Sequence, residues 1–416
     1  MINLFAVQWY GESEFWLALG KVLLIVGLII FTFITMLGGN PIHDRFGFRY
    51  WKNPGAFSAL YREGNLGRFL GFLQCLIQAS FTIAGPDYVS MAAGEAENPR
   101  KVMPKAFNGV FYRLTAFFVL GSLAVGILVP HNDQTLKDAF VNGLPGAAAS
   151  PYVVAMDRLK IVILPDIVNA MVLASAFSAG NSYVYCASRS LFGLALEGKA
   201  PKILTKCTKS GVPIYCVGVT LAIALLSFLQ VSNNAAKVLS WFVSLVTASQ
   251  LINFAVMAFT FIKWKNACDA QGDRNLLPHK SFWQPFSAWY AFTGCTIMAF
   301  VGGYTVFIDG QSLPFQPNRH LPPPISPTPK TFKKANPLAP TDFWNVPDFL
   351  FSYLMIGVFP VIFVSWKLIK KTKWLKPHEV QLRTAEVDEI EEYTRNYVER
   401  PPKTRWHGYL DKIFSA

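Results

Sequence analysis

The chain has 416 residues, 52% of them hydrophobic, 15% aromatic and 15% charged, with a formal net charge of +13. Charge this far below the roughly 25% of soluble domains excludes an ordinary soluble enzyme or binding module and reads as a polytopic membrane protein. In such a chain the positive balance belongs to Lys and Arg beside the spans, so no nucleic-acid partner is expected.

A spanning helix needs about 20 predominantly apolar residues. About eight segments qualify: 15–37, 69–94, 110–129, 161–196, 214–231, 238–264, 289–308 and 349–369. The first carries Lys21, about 9 Å from the helix start at about 1.5 Å per residue. Two readings fit it. The ammonium snorkels to the surface, or it is a cation held against helix-end carbonyls inside the bundle.

The second segment reads FLGFLQCLIQASFTIAGPDYVSMAAG and is interrupted at Gly85, Pro86 and Asp87, where a helix is weakened, broken and charged. Non-helical backbone at membrane depth persists only where protein or a water cavity satisfies it, and transporters use such breaks to bind substrates. The half starting near Asp87 offers a positive dipole end to a carboxylate, and the half ending near Ala84 offers carbonyls to an ammonium group or a coupling ion. Such a site suits a zwitterion such as an amino acid. The competing reading is a proline kink repaired by neighbouring helices. Acidic residues at span depth default to functional roles, which singles out Asp87 ahead of Glu95 and the loop residue Glu97.

In the fourth segment Ser175, Ser178, Gly180 and Ser182 permit close helix approach, and Asn181 is a costly amide that must face a helix or cavity. The sixth holds Thr247, Ser249, Gln250 and Asn253. This polar stripe either lines a side-chain pocket or makes interhelical hydrogen bonds. Of the loops, one set carries Arg100, Lys101 and Lys105, then Lys199 to Lys209, then Lys263 to Lys280, then Lys367 to Lys376. The positive-inside rule makes that set cytoplasmic, and an even span count puts both termini there. The loop 38–67 opposes this with Arg45, Arg49, Lys52 and Arg62 on the other side. A Pro-rich stretch, 321–340, reads as an external loop. Residues 1–375 form the transmembrane domain and 376–416 a cytoplasmic tail, in which 387–400 forms an amphipathic helix contacting loops or regulators, or is disordered.

The six cysteines form no CxxC pair and the histidines lie in separate loops or the tail. With no nucleophile and base, metal spacing or phosphate loop, neither an enzyme nor a cofactor is expected.

The segments GGNPIHDRFGFRYWKNPGAF (38–57), AGEAENPRKVMPKA (93–106), SAFSAGNSYVYCASRSLFGLALEGKAPK (175–202), GVPIY (211–215) and LPHKSFWQPFSAWY (277–290) closely resemble fungal amino acid permeases. These are the yeast-type branch of the amino acid–polyamine–organocation superfamily. The resemblance implies an all-α, LeuT-like fold of two inverted five-helix repeats plus two extra helices. It implies proton symport of an L-amino acid at the plasma membrane. Residues 69–94 resemble the broken sixth helix, which puts Ile83, Ala84 and Gly85 at its unwound part and Phe81 at an aromatic gate. Lys21 falls where relatives couple protons. Ser178 and Asn181 fall on the eighth helix, and Val246 and Thr247 in the selectivity region of the tenth. Relatives read Gly-Thr-Glu where this chain reads Gly85-Pro86-Asp87. The stretch MINLFAVQWYGESEFW resembles the join of helices four and five, so the chain is read as helices five to twelve and is expected to be inactive alone. The alternative function is a receptor-like relative that binds amino acids without moving them.

Overall fold

The computed structural model describes residues 7–83, 85–96, 98–141, 150–231, 235–272, 283–308 and 346–397. Among these residues the chain is helical, with no strand. The helices are α1 (Val7–Met36), α2 (Gly64–Thr82), α3 (Pro99–Leu128), α4 (Gln134–Val141), α5 (Pro151–Arg158), α6 (Leu164–Leu196), α7 (Ile214–Ala224), α8 (Ala235–Gln271), α9 (Phe286–Val301), α10 (Val346–Lys370) and α11 (Ala385–Asn396). Helices α3, α5 and α6 each open on a proline in the first turn, where its missing N–H costs nothing and its fixed φ suits a helix.

Six helical segments are long and apolar enough to cross a membrane: Gly11–Met36, Gly64–Met91, Pro99–Leu128, Leu164–Leu196, Val238–Gln271 and Val346–Lys370. In a bilayer a helix satisfies every backbone group within itself, so apolar runs of this length have no cheaper conformation. The sequence-predicted spans 214–231 and 289–308 fold differently from single α-helices. The first is 11 residues of α7 continued by a 3₁₀ helix, Leu225–Val231. The tighter 3₁₀ winding rises further per residue, so the two together still extend about 30 Å. The second, α9, has 16 residues and stops at Gly302 and Gly303, followed by a 3₁₀ turn at Tyr304–Phe307. A Cβ on Gly303 would overlap the Tyr353 ring of α10, so the glycine marks a close helix approach.

Helix α8 lies against α2, α9 and α10, while α1 lies between α3 and α6, and α6 carries α7. The tightest apolar packing sits where the ends of α1 and α3 meet α5. Phe46, Ile127, Leu128, Val129, Ala155 and Leu159 form one cluster, and Leu28, Val153, Met156 and Val168 another. Over these helices the loop after α1 forms an ordered cap. Arg49 forks onto both Asp44 oxygens at 2.9 and 2.6 Å, and its guanidinium holds the Asp44 carboxyl below its usual pKa. The Trp51 indole donates to the Gly126 carbonyl at 3.0 Å. Arg49, one of the basic residues that ran against the loop-charge pattern, is thus neutralised within its own loop.

The opposite end of the bundle gathers the start of α3, the end of α8 and the tail. The Gln271 side-chain amide donates to the Pro377 and Val380 carbonyls at 2.9 and 2.7 Å. From α11, Glu391 pairs with Arg100 at 3.0 Å. Through Pro377, Val380 and Glu391 the tail therefore contacts the chain's own helices. The Pro-rich stretch 321–340, and the tail after residue 397, lie outside the described residues.

Candidate functional site

Helix α2 ends at the expected interruption. The Ile83 N–H still closes a helical bond to the Ala79 carbonyl at 3.0 Å, and Gly85 then takes the left-handed φ of 118°. A side chain at that φ is strained, which is why glycine stands there. Pro86 opens a 3₁₀ helix, Pro86–Glu95, so the direction and the winding of the chain both change within three residues. A second left-handed residue, Asn98 with φ 56°, separates this segment from α3. Phe81 is half-buried on the last turn of α2 and Ile83 is exposed. Ala84 and Glu97 lie outside the described residues, and so does the side chain of Glu95.

Asp87 is only 7% exposed. Its Oδ1 accepts from the Gln250 amide at 3.0 Å and its Oδ2 from the Asn253 amide at 3.2 Å. Gln250 and Asn253 are three residues apart on α8 and so share a face. Both carboxylate oxygens, which the sequence aims at a substrate, are engaged by α8. The Ser90 hydroxyl donates to the Asp87 carbonyl at 2.6 Å and steadies the same turn. A buried carboxylate needs hydrogen-bond donors, and α8 supplies them.

A second polar cluster joins α1 to α6. The Lys21 ammonium donates to the Ser178 hydroxyl at 2.6 Å and lies 3.3 Å from Glu14 Oε1. The Ser178 hydroxyl in turn donates to Glu14 at 2.6 and 2.8 Å from its two oxygens. Ser178 is fully buried, while the Lys21 and Glu14 side chains keep 34% and 24% exposure. The Lys21 ammonium thus meets a neighbouring helix through a hydroxyl, with a carboxylate of its own helix beside it, and contacts no helix-end carbonyl among the described residues. Glu14 is the participant that sequence reading missed. Its signal was the seven-residue spacing to Lys21, two helical turns along one face.

Asn181 is part-buried on α6, three residues beyond Ser178. Val246 is 47% exposed, and the buried Thr247 directs its hydroxyl to the Val243 carbonyl of its own helix at 2.7 Å. Helix α6 touches both clusters: its Ser178 meets Lys21, and its Tyr183 packs edge-on against Tyr88 with ring centroids 5.7 Å apart. A groove of about 230 Å³ between α8 and α10 has Asn253 on its wall. Among the described residues no group of three His, Cys, Asp or Glu is placed to hold a metal ion.

A sequence model described as amino acid permease matches residues 1–379. The chain is 47% identical over 403 residues to the general amino acid permease AGP2 of Saccharomyces cerevisiae, covering 94% of this chain and 62% of that protein. It is 38% identical to a proline-specific permease of Emericella nidulans, covering 99% of this chain and 69% of the relative. It is 34% identical to a dicarboxylic amino acid permease of S. cerevisiae, covering 92% and 58%. No solved structure matches. The broken apolar helix, the six long spans and the family match over nearly the whole chain agree: this multi-pass membrane protein belongs to the amino acid permease family.

Proposed function

We propose that the protein serves in amino acid transport across the plasma membrane by proton symport. The observation that carries this reading is the break at Gly85, set in the second apolar segment of a chain whose relatives are named permeases. A helix interrupted in this way leaves backbone groups at both broken ends outside the regular ladder. Those groups suit the ammonium and carboxylate of an amino acid. The backbone from Phe81 to Gly85 takes the substrate, while Ser178, Asn181, Val246 and Thr247 flank it from α6 and α8. Asp87 fixes the break against α8. Lys21 is the residue assigned to proton coupling, at the point where α1 meets α6 through Ser178. The relatives' names cover a general, a proline-specific and a dicarboxylic permease, so the side-chain class follows from pocket residues rather than from the break.

The test is uptake of radiolabelled L-amino acids by cells lacking their own permeases, with the chain supplied in its full-length natural form. Uptake that rises with an inward proton gradient and collapses with a protonophore is the expected result. Saturable binding with no uptake would replace transport by a receptor-like role, and no response to any amino acid would overturn the reading altogether.

A further inference from the structure

We propose that the basic segment running from the end of α10 into the tail, Lys367 to Lys376, is a docking surface for anionic phospholipid headgroups. The proposal does not depend on the transport reading. No residue of the apolar window of α10 is fully buried inside the fold, so the face of the helix turned away from α8 and α9 is left to the hydrocarbon core. Its last residue, Lys370, therefore sits at a bilayer surface, whichever side that is. Lys371 has a left-handed φ of 49°, which ends the helix and redirects the chain.

Lys370, Lys371, Lys373 and Lys376 are exposed, and among the described residues none forms an ion pair. Glu379, three residues beyond Lys376, accepts the backbone N–H of Lys376 at 3.1 Å, and Glu391 is engaged by Arg100. The segment is nevertheless held in place. The Lys367 and Lys263 ammonium groups lie 4.7 and 5.8 Å from the Trp374 ring centroid, and Gln271 binds the carbonyls of Pro377 and Val380. A segment whose backbone is already anchored loses less freedom when its lysines bind anions.

The apolar side chains between the lysines select a membrane rather than a soluble anion. Trp374 and Leu375 are 59% and 58% exposed and lie between Lys373 and Lys376. A free phosphate would leave them in water. A bilayer surface receives the indole and the leucine at the headgroup boundary while the ammonium groups meet lipid phosphates and carboxylates. Each lysine near such a surface contributes about a fivefold preference, screened by salt.

The test uses the full chain reconstituted in phosphatidylcholine bilayers containing spin-labelled phosphatidylserine or spin-labelled phosphatidylcholine, read by the motionally restricted fraction. The wild type should favour phosphatidylserine, and 1 M salt, where the screening length is about 3 Å, should remove most of the preference. The variant Lys370→Gln/Lys371→Gln/Lys373→Gln/Lys376→Gln should lower the preference at least about fivefold. The four Lys→Arg changes should keep it. The smaller pair Lys373→Gln/Lys376→Gln, beyond the helix, should give a partial loss and serves if the fourfold variant fails to assemble. Equal lipid preference in wild type and the Gln variants would overturn the proposal, as would a preference that 1 M salt leaves intact.

Discussion

Replacing Asp87 by Ala removes the acceptor that two α8 amides share. Polar contacts between membrane helices are worth about 0.6 kcal/mol on average and up to about 1.7. Two such bonds are lost here, and the Gln250 amide, 8% exposed, is left without its acceptor in a buried position. The expected cost is about 2 kcal/mol, within a range of about 1 to 3. Asp87→Asn behaves differently. Its amide oxygen still accepts from Gln250, and its NH₂ donates to Asn253 once that amide turns over, so both bonds persist and only the charge assistance goes. That variant should lose less than about 1 kcal/mol. Equilibrium unfolding in mixed detergent–SDS micelles measures both, and a double-mutant cycle of Asp87→Ala with Gln250→Ala isolates the pair. A coupling below about 0.3 kcal/mol, or equal losses for the Ala and Asn variants, would refute the clamp. So would an Asp87→Asn variant of normal stability that has lost substrate affinity, because the carboxylate would then be acting on the substrate directly.

Lys21→Ala is expected to abolish concentrative uptake while the protein still reaches the membrane, and Glu14→Gln to alter the dependence of uptake on external pH; wild-type pH profiles in both would return Lys21 to a surface role. The Lys21–Glu14 pair is part-exposed, so its removal should change stability by no more than about 1 kcal/mol in the same unfolding assay. At Gly85, with φ 118° and only the Tyr88 ring nearby, Gly85→Ala is strained by backbone rather than by space and should cost about 1–3 kcal/mol. Gly67→Ala would drive a Cβ into the Arg62 carbonyl oxygen, whereas nothing stands within 4 Å of a Cβ at Gly180. The first should destabilise by about 1–3 kcal/mol and the second should be neutral or stabilise by about 0.5–1, read from unfolding midpoints. Glu391→Arg should loosen α11 and raise proteolysis of the tail, and adding Arg100→Glu should reverse that; identical cleavage in all forms would show the pair does not hold the helix.

Membership of the all-α membrane class was legible in the chain itself. A run of about 20 apolar residues has one stable conformation in lipid, so composition determines the spans without reference to any partner. The break at Gly85-Pro86-Asp87 was equally local, because a glycine free to adopt positive φ and a proline without an N–H act on their own turn. Two spans, 214–231 and 289–308, kept their place in the chain but not their form: the first continues as a 3₁₀ helix, and the second halts at Gly302 and Gly303, where Gly303 lies against the Tyr353 ring of α10. Pairings were decided only by tertiary structure. Asp87 meets Gln250 and Asn253 from more than 160 residues away, and Lys21 meets Ser178 across 157. Periodicity says which residues share a helix face, but not which faces meet. A buried polar group takes whichever donor or acceptor the packing brings within about 3 Å, and that choice is made by the arrangement of the helices in three dimensions.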